Sequence, residues 1–139
     1  MSDQNQQIIP MLSYEEGVAA MSWLCRVFGF SEKARMLDEN GILIHGEIAM
    51  GDGIVMLASP TPDYQSPKHH REICKDTAQY YKVPYVINGI LVHVDDVEKH
   101  YELAKENGAV ILSPLEGGGP GLRYRAEDLE GQRWMFIQR

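Results

Sequence analysis

Histidine side chains are the first candidates for chemistry, because an imidazole can bind a metal ion or transfer a proton near neutral pH. His45 and Glu47 are two positions apart, so on a strand they would share a face and could form a metal pair or an acid–base pair. Two ligands are too few for a metal site, and we favour a solvated or dimer-facing pair. The cluster at 69–72 contains His69 and His70, which as neighbours on a helix point in different directions, so a solvated face is predicted there.

The composition is that of a soluble globular protein of 139 residues, with 44% apolar residues and a formal charge of −7. Such an acidic chain does not favour nucleic-acid binding, which needs a basic surface. The start of the chain has no export signal, and no apolar stretch is long enough to span a membrane, so we expect no membrane partner and a cytoplasmic location. Cys25 and Cys74 form neither a disulfide framework nor a zinc spacing.

Two segments of the chain have the same predicted order of elements. The first is a strand, a helix and three strands, over residues 8–13, 15–30, 32–38, 41–50 and 53–59. The second repeats this order over residues 88–95, 96–108, 109–113, 122–128 and 132–138. Met135 follows Met56 by 79 residues and occupies the same place in its segment, which indicates a duplicated module.

A linker over residues 60–87 joins the two modules, which extend over about 8–59 and 88–138. Ser66 followed by Pro67 is typical of a helix start, so one short polar helix is predicted over about 67–80. We expect the chain, residues 1–139, to form a single domain of the α+β class.

The repeated modules, the Val-Asp-Asp-Val stretch at 94–97 and the Asp-Leu-Glu-Gly-Gln-Arg-Trp stretch at 128–134 resemble the vicinal oxygen chelate superfamily. This group includes glyoxalase I, bleomycin-resistance proteins and extradiol dioxygenases. The likeness runs from about residue 8 to 138, and Leu129 stands where the family's turn usually has proline. The resemblance implies two tandem βαβββ modules that form a curled mixed β-sheet cleft with helices outside. It also implies a homodimer.

In metal-dependent members of this family, the ligands come from the first and fourth strands of each module. The matching positions here are Ile9, Met56, Gly89 and Met135. Isoleucine and glycine offer no side-chain donor, and a thioether is a poor ligand for hard cations. We therefore expect no metal at the family's position and no cofactor.

Residues two apart on a strand share a face, so these four positions identify the side chains that would face the cleft. The candidate ligand-binding residues are Ile9, Met11, Ser13, Ile54, Met56, Leu91, His93, Tyr124, Arg133, Met135 and Ile137. Tyr124 is one of three alternatives with Arg123 and Arg125, because a bulge decides which of them faces inward. Trp134 and Phe136 are expected on the opposite face, beneath the helices.

Three functions are compatible with this reading. The first is a metal-free protein that holds a small apolar or cationic compound in its cleft, as bleomycin-resistance proteins do. The alternative is a glyoxalase-, isomerase- or dioxygenase-like enzyme that uses His93 and Arg133, or a relocated metal site, for catalysis. An interaction protein with a filled cleft is the third.

Overall fold

The computed structural model describes residues 6–86 and 88–139, and these residues divide into two compact units between Tyr64 and Gln65. Two parts of the chain lie outside the described residues. They are residues 1–5, part of the stretch in which we expect no export signal, and Ile87, the end of the predicted linker. No helix in the described ranges is long and apolar enough to cross a membrane.

The first unit contains one mixed four-stranded sheet and one helix. Its elements are β1 (Met11–Ser13), α1 (Gly17–Phe28), β2 (Ser31–Leu37), β3 (Leu43–Met50) and β4 (Gly53–Ala58). The strand order is β1-β4-β3-β2, with β1 parallel to β4 and the other pairs antiparallel. Helix α1 packs closely on β3, because Gly46 of β3 has no side chain and Met21 of α1 occupies the space. The helix ends at Gly29, whose φ of 81° suits glycine.

The second unit contains the linker helices and a sheet with the same arrangement. Its elements are α2 (Pro67–Ile73), α3 (Lys75–Tyr80), β5 (Gly89–Val94), α4 (Val97–Glu106), β6 (Val110–Glu116), β7 (Arg123–Glu127) and β8 (Arg133–Gln138). The strand order is β5-β8-β7-β6, with β5 parallel to β8. Asp96 caps α4 by accepting a hydrogen bond from the Lys99 N–H at 3.2 Å.

The two sheets repeat each other in register. Met11 lies opposite Met56 across the parallel pair of the first sheet, and Leu91 lies opposite Met135 across the parallel pair of the second. The predicted α+β class and the tandem βαβββ modules are therefore confirmed.

Two predicted elements need correction. The single helix expected over 67–80 is two helices, because Cys74 between them has the extended backbone angles φ −130° and ψ 112°. Its predicted start is right, since Ser66 Oγ accepts a hydrogen bond from the His69 N–H. The strand predicted at 109–113 continues to Glu116, where it pairs with Arg123 across register shifts that sequence periodicity does not reveal.

The turn before β8 is fixed by the side chain of Asp128. Its Oδ1 accepts hydrogen bonds from the N–H groups of Glu130 and Gln132, both at 3.0 Å. Gly131 sits inside this turn with φ of 87°, and the Glu130 carbonyl accepts a hydrogen bond from the Lys68 N–H at the start of α2. The turn therefore joins the linker to the sheet.

We expect Gly131→Ala to reduce the free energy of unfolding by about 3 kcal/mol or more. Alanine at a positive φ is strained, and its Cβ would also lie 2.7 Å from the backbone nitrogen of Lys68. Gly41→Ala is the matched control, because φ is 81° there with nothing within 4 Å of the added Cβ, so only the conformational cost of about 1–2 kcal/mol applies. Urea unfolding measures both, and equal losses would contradict the close packing at Gly131.

Candidate functional site

A pocket of about 180 Å³ opens in the second unit, and we call it the sheet pocket. Strands β5, β7 and β8 contribute one side of it, and the chain segment before β5 contributes the other. Its lining residues are Pro84, Tyr85, Val86, Gly89, Ile90, Leu91, Arg125, Arg133, Trp134 and Met135. Most of these are apolar, which is typical of small-molecule sites.

A row of side chains crosses the floor of the sheet pocket. Leu91 lies opposite Met135, and Met135 lies opposite Arg125 on the next strand. Directly opposed residues project from the same face of a sheet. The floor therefore carries two apolar side chains followed by a guanidinium group.

The alternate residues of the same strands face helix α4. Tyr124 and Phe136 lie opposite each other, and their rings stack at 5.4 Å. His100 of α4 contacts both, with its ring 4.2 Å from that of Phe136 and its Nδ1 2.6 Å from the Tyr124 hydroxyl. Burial raises the pKa of Tyr124, so this hydroxyl stays protonated at physiological pH.

Arg133 holds the segment before β5, which forms the wall of the sheet pocket at Pro84–Val86, against the sheet. Its guanidinium donates two hydrogen bonds to Glu127, and three more to the carbonyl oxygens of Tyr81, Val83 and Val86, at 2.5–3.4 Å. A guanidinium has five N–H donors, so all of them are used within the protein. The side chain is 4% exposed. Its role in the structure is to position the segment that forms the wall.

A second arginine also pairs with Glu127, whose side chain is only 2% exposed. Arg71 of α2 donates two hydrogen bonds to this carboxylate, which raise the pKa of Arg71. The Tyr81 ring lies 5.4 Å and 5.2 Å from the two guanidinium carbons. The solvated face predicted for residues 69–72 is therefore wrong for Arg71, which pairs with a buried acid from β7.

The structure brings some of the predicted site residues together in the second unit. Leu91, Arg133 and Met135 line the sheet pocket. His93 is exposed and is not among the lining residues, and Ile137 is buried beside Gly121. The placement of Tyr124 at the cleft is corrected, because its side chain is fully buried on the α4 side of the sheet.

The remaining predicted site residues belong to the first unit. Met11 on β1 is 79% exposed, whereas its partner Met56 is half-buried. Ser13 pairs with Ala58 at the end of β1, and Ile9 is half-buried just before that strand. Ile54 is buried, and its backbone N–H and carbonyl are both hydrogen-bonded by the Gln6 side chain.

Sequence reasoning named Arg125 only as an alternative to Tyr124 and Arg123, and it missed the segment Pro84–Val86. Choosing Arg125 among the three requires the register between β7 and β8, which places it opposite Met135. The segment Pro84–Val86 carried a weaker signal, since an apolar tripeptide in a polar linker indicates a contact surface.

The metal-binding hypotheses for other clusters receive no support from the geometry. His45 Nε2 and Glu47 Oε2 lie 2.8 Å apart and pair with each other. Within residues 6–86 and 88–139, no group of three or more His, Cys, Asp or Glu side chains is arranged to hold a metal ion.

Comparison with known proteins places the chain in a family. The model of the Glyoxalase/Bleomycin resistance protein/Dioxygenase superfamily matches residues 12–136. Among solved structures, TioX from Micromonospora sp. ML1 is similar with a TM-score of 0.70 and 28% identity, over 96% of each chain. A glyoxalase/bleomycin resistance protein from Streptomyces sp. CB03234 is similar with a TM-score of 0.66 and 16% identity, over 94% of this chain and 97% of that one. No protein of curated function matches the chain.

We expect Met135→Ala and Trp134→Ala to differ strongly in their effect on stability, although the two residues are neighbours. Met135 borders an open space, so its truncation should cost about 1 kcal/mol or less of unfolding free energy. Trp134 is 1% exposed, and its Nε1–H donates to Asp128 Oδ2, so its loss should cost about 3–5 kcal/mol. Urea melts of both variants provide the measurement, and large losses at both positions would show that Met135 is core rather than pocket.

Proposed function

Because the chain belongs to the Glyoxalase/Bleomycin resistance protein/Dioxygenase superfamily, we propose that it is a member that binds a small apolar compound and uses no metal at the family's position. The observation that carries this proposal is the sheet pocket, in which Met135 borders the space with apolar neighbours such as Leu91 and Ile90. An unbranched, polarizable methionine adapts well to the flat surface of an aromatic ligand.

The donor chemistry at the family's metal positions supports a metal-free site. Ile9 and Gly89 present no side-chain donor, and Met56 and Met135 present thioethers. Zinc in proteins is bound by thiolate, imidazole or carboxylate, and harder cations require oxygen ligands. These residues do not fit the divalent metals that the family's enzymes hold, whereas the methionines suit an apolar ligand.

The charges around the sheet pocket favour an apolar over a cationic compound. Two guanidinium groups, those of Arg125 and Arg133, are part of the lining, and Glu127 is already paired with Arg71 and Arg133. A cationic ligand would meet like charges with no free carboxylate in the lining to offset them.

The positions of His93 and Arg133 do not favour the catalytic alternative. His93 is exposed and not among the residues that line the sheet pocket, and the five N–H donors of Arg133 are taken by protein acceptors. A general base must reach the substrate, and an anion-binding arginine needs a free donor.

A homodimer and a cytoplasmic location stay predictions.

We expect Leu91→Gln to weaken binding of N-phenyl-1-naphthylamine, a neutral fluorescent aromatic probe, by about tenfold. Leu91 is 48% exposed and lines the sheet pocket. In the variant, an apolar ligand would have to bury the polar glutamine side chain, which disfavours binding. Leu103→Gln is the matched control, because Leu103 is 45% exposed on α4, and it should leave the affinity within about twofold. Fluorescence titration measures both variants.

The same titration after dialysis against EDTA tests the absence of a metal requirement. Unchanged affinity is expected, because no contact of the proposed site is to a metal. Failure of the wild-type protein to bind the probe, or equal weakening by Leu91→Gln and Leu103→Gln, would contradict a binding function for the sheet pocket.

A further inference from the structure

We propose that the compound held in the sheet pocket carries an anionic group, such as a carboxylate or sulfonate, beside its apolar body, and that Arg125 and Ser113 receive this group. The inference rests on the proposed function, and it names the class of ligand. Three features of the second sheet carry it: a guanidinium and a buried hydroxyl that have no partner among the described residues, and a row of paired residues that joins both to the apolar floor.

Arg125 differs from the other arginines around this sheet. Arg71 and Arg133 are paired with Glu127, and Arg123 donates to the carbonyls of Gly118 and Gly121 at 2.8 and 2.9 Å. The Arg125 guanidinium makes no hydrogen bond or ion pair with any residue in 6–86 or 88–139, although the side chain is half-buried and lines the sheet pocket. Among the described residues, it is therefore the charged side chain of the lining whose donors are not used within the protein.

Ser113 is the neighbour of Arg125 on β6. In the described part of the chain, Ser113 Oγ is the buried side-chain polar atom that has no hydrogen-bond partner. A buried hydroxyl without a partner destabilises the folded protein, so such groups are rare and call for an explanation. A ligand oxygen that accepts its proton would supply one.

The register puts these two groups in one line with the apolar floor. Ser113 lies opposite Arg125, Arg125 opposite Met135, and Met135 opposite Leu91, so one row crosses all four strands. Neighbouring strands are about 5 Å apart, so the two donors begin roughly 5 to 10 Å from the methionine. An aromatic ring system over Met135 and Leu91 would place an acidic substituent at Arg125.

Both polar groups can donate hydrogen bonds, so they favour a ligand group that accepts hydrogen bonds. Guanidinium groups match the geometry of carboxylate-like oxygens, and bonds to charged groups are about twice as strong as neutral ones. Glu116 of β6 is paired with Arg123, and Glu127 of β7 is paired with Arg71 and Arg133. Neither neutralises Arg125.

A pair of fluorescent probes tests the inference directly. 8-Anilinonaphthalene-1-sulfonate has the skeleton of N-phenyl-1-naphthylamine and adds one sulfonate, so the ratio of their affinities isolates the anionic group. We expect Arg125→Met to weaken sulfonate binding by about ten- to a hundredfold while the neutral probe changes within about twofold. Arg125→Lys, which keeps the charge without the planar fork, should have an intermediate effect.

Arg139→Met is the matched control, since Arg139 is an exposed arginine at the end of the same unit, paired with Asp95. It should leave both affinities unchanged. Ser113→Ala should weaken binding of the sulfonate probe alone by several-fold. It should also raise the unfolding temperature of the free protein, because it removes a buried hydroxyl that has no partner among the described residues. Circular dichroism confirms that each variant is folded.

The outcomes separate this inference from the proposed function. If both probes bind but Arg125→Met changes them equally, or changes neither, the anionic-group assignment is wrong and the apolar site stands. If neither probe binds the wild-type protein, the proposed function fails and this inference fails with it. A loss in Arg139→Met as large as that in Arg125→Met would also overturn the assignment, because it would reflect overall charge.

Discussion

The buried carboxylate of Glu127 is the constraint on which the second unit depends. A charge removed from water must be paired, and breaking one partner of such a pair costs about 3–5 kcal/mol. Glu127 takes Arg71 from α2 and Arg133 from β8, and Arg133 in turn binds the carbonyls of the segment that precedes β5. The wall of the sheet pocket is therefore fixed by an interaction outside the space that a ligand would occupy.

Side chains alternate along β7 and β8, so the residues of the aromatic core lie on one face of the sheet and residues that line the sheet pocket lie on the other. Tyr124, Trp134 and Phe136 are buried on the side of α4 and account for much of the aromatic packing of the unit. Met135 and Arg125, which alternate with them, are left on the other face. Side chains on that face can change without loss of the aromatic core, so one scaffold can carry different sites.

Much of the fold could be predicted from sequence, because apolar periodicity and the repeated order of elements specify local structure. The site was predicted less well. Leu91 and Met135 follow from alternation within single strands, whereas Arg125 requires the register between β7 and β8, and the true role of Arg133 requires the position of the linker carbonyls. Tyr124 was misplaced because a single strand does not reveal which of its faces a helix covers. Pairings between distant segments, such as Arg71 with Glu127, leave no periodic signal in either segment.

The central claim, that an apolar ligand lies on Met135, is tested most directly by NMR of protein labelled with ¹³C at its seven methionine methyl groups. During titration with N-phenyl-1-naphthylamine, the Met135 methyl should shift and show nuclear Overhauser effects to the aromatic protons of the probe. Met21, a fully buried residue of α1, is the internal reference and should do neither. Effects at other methionine methyls, with none at Met135, would contradict the account.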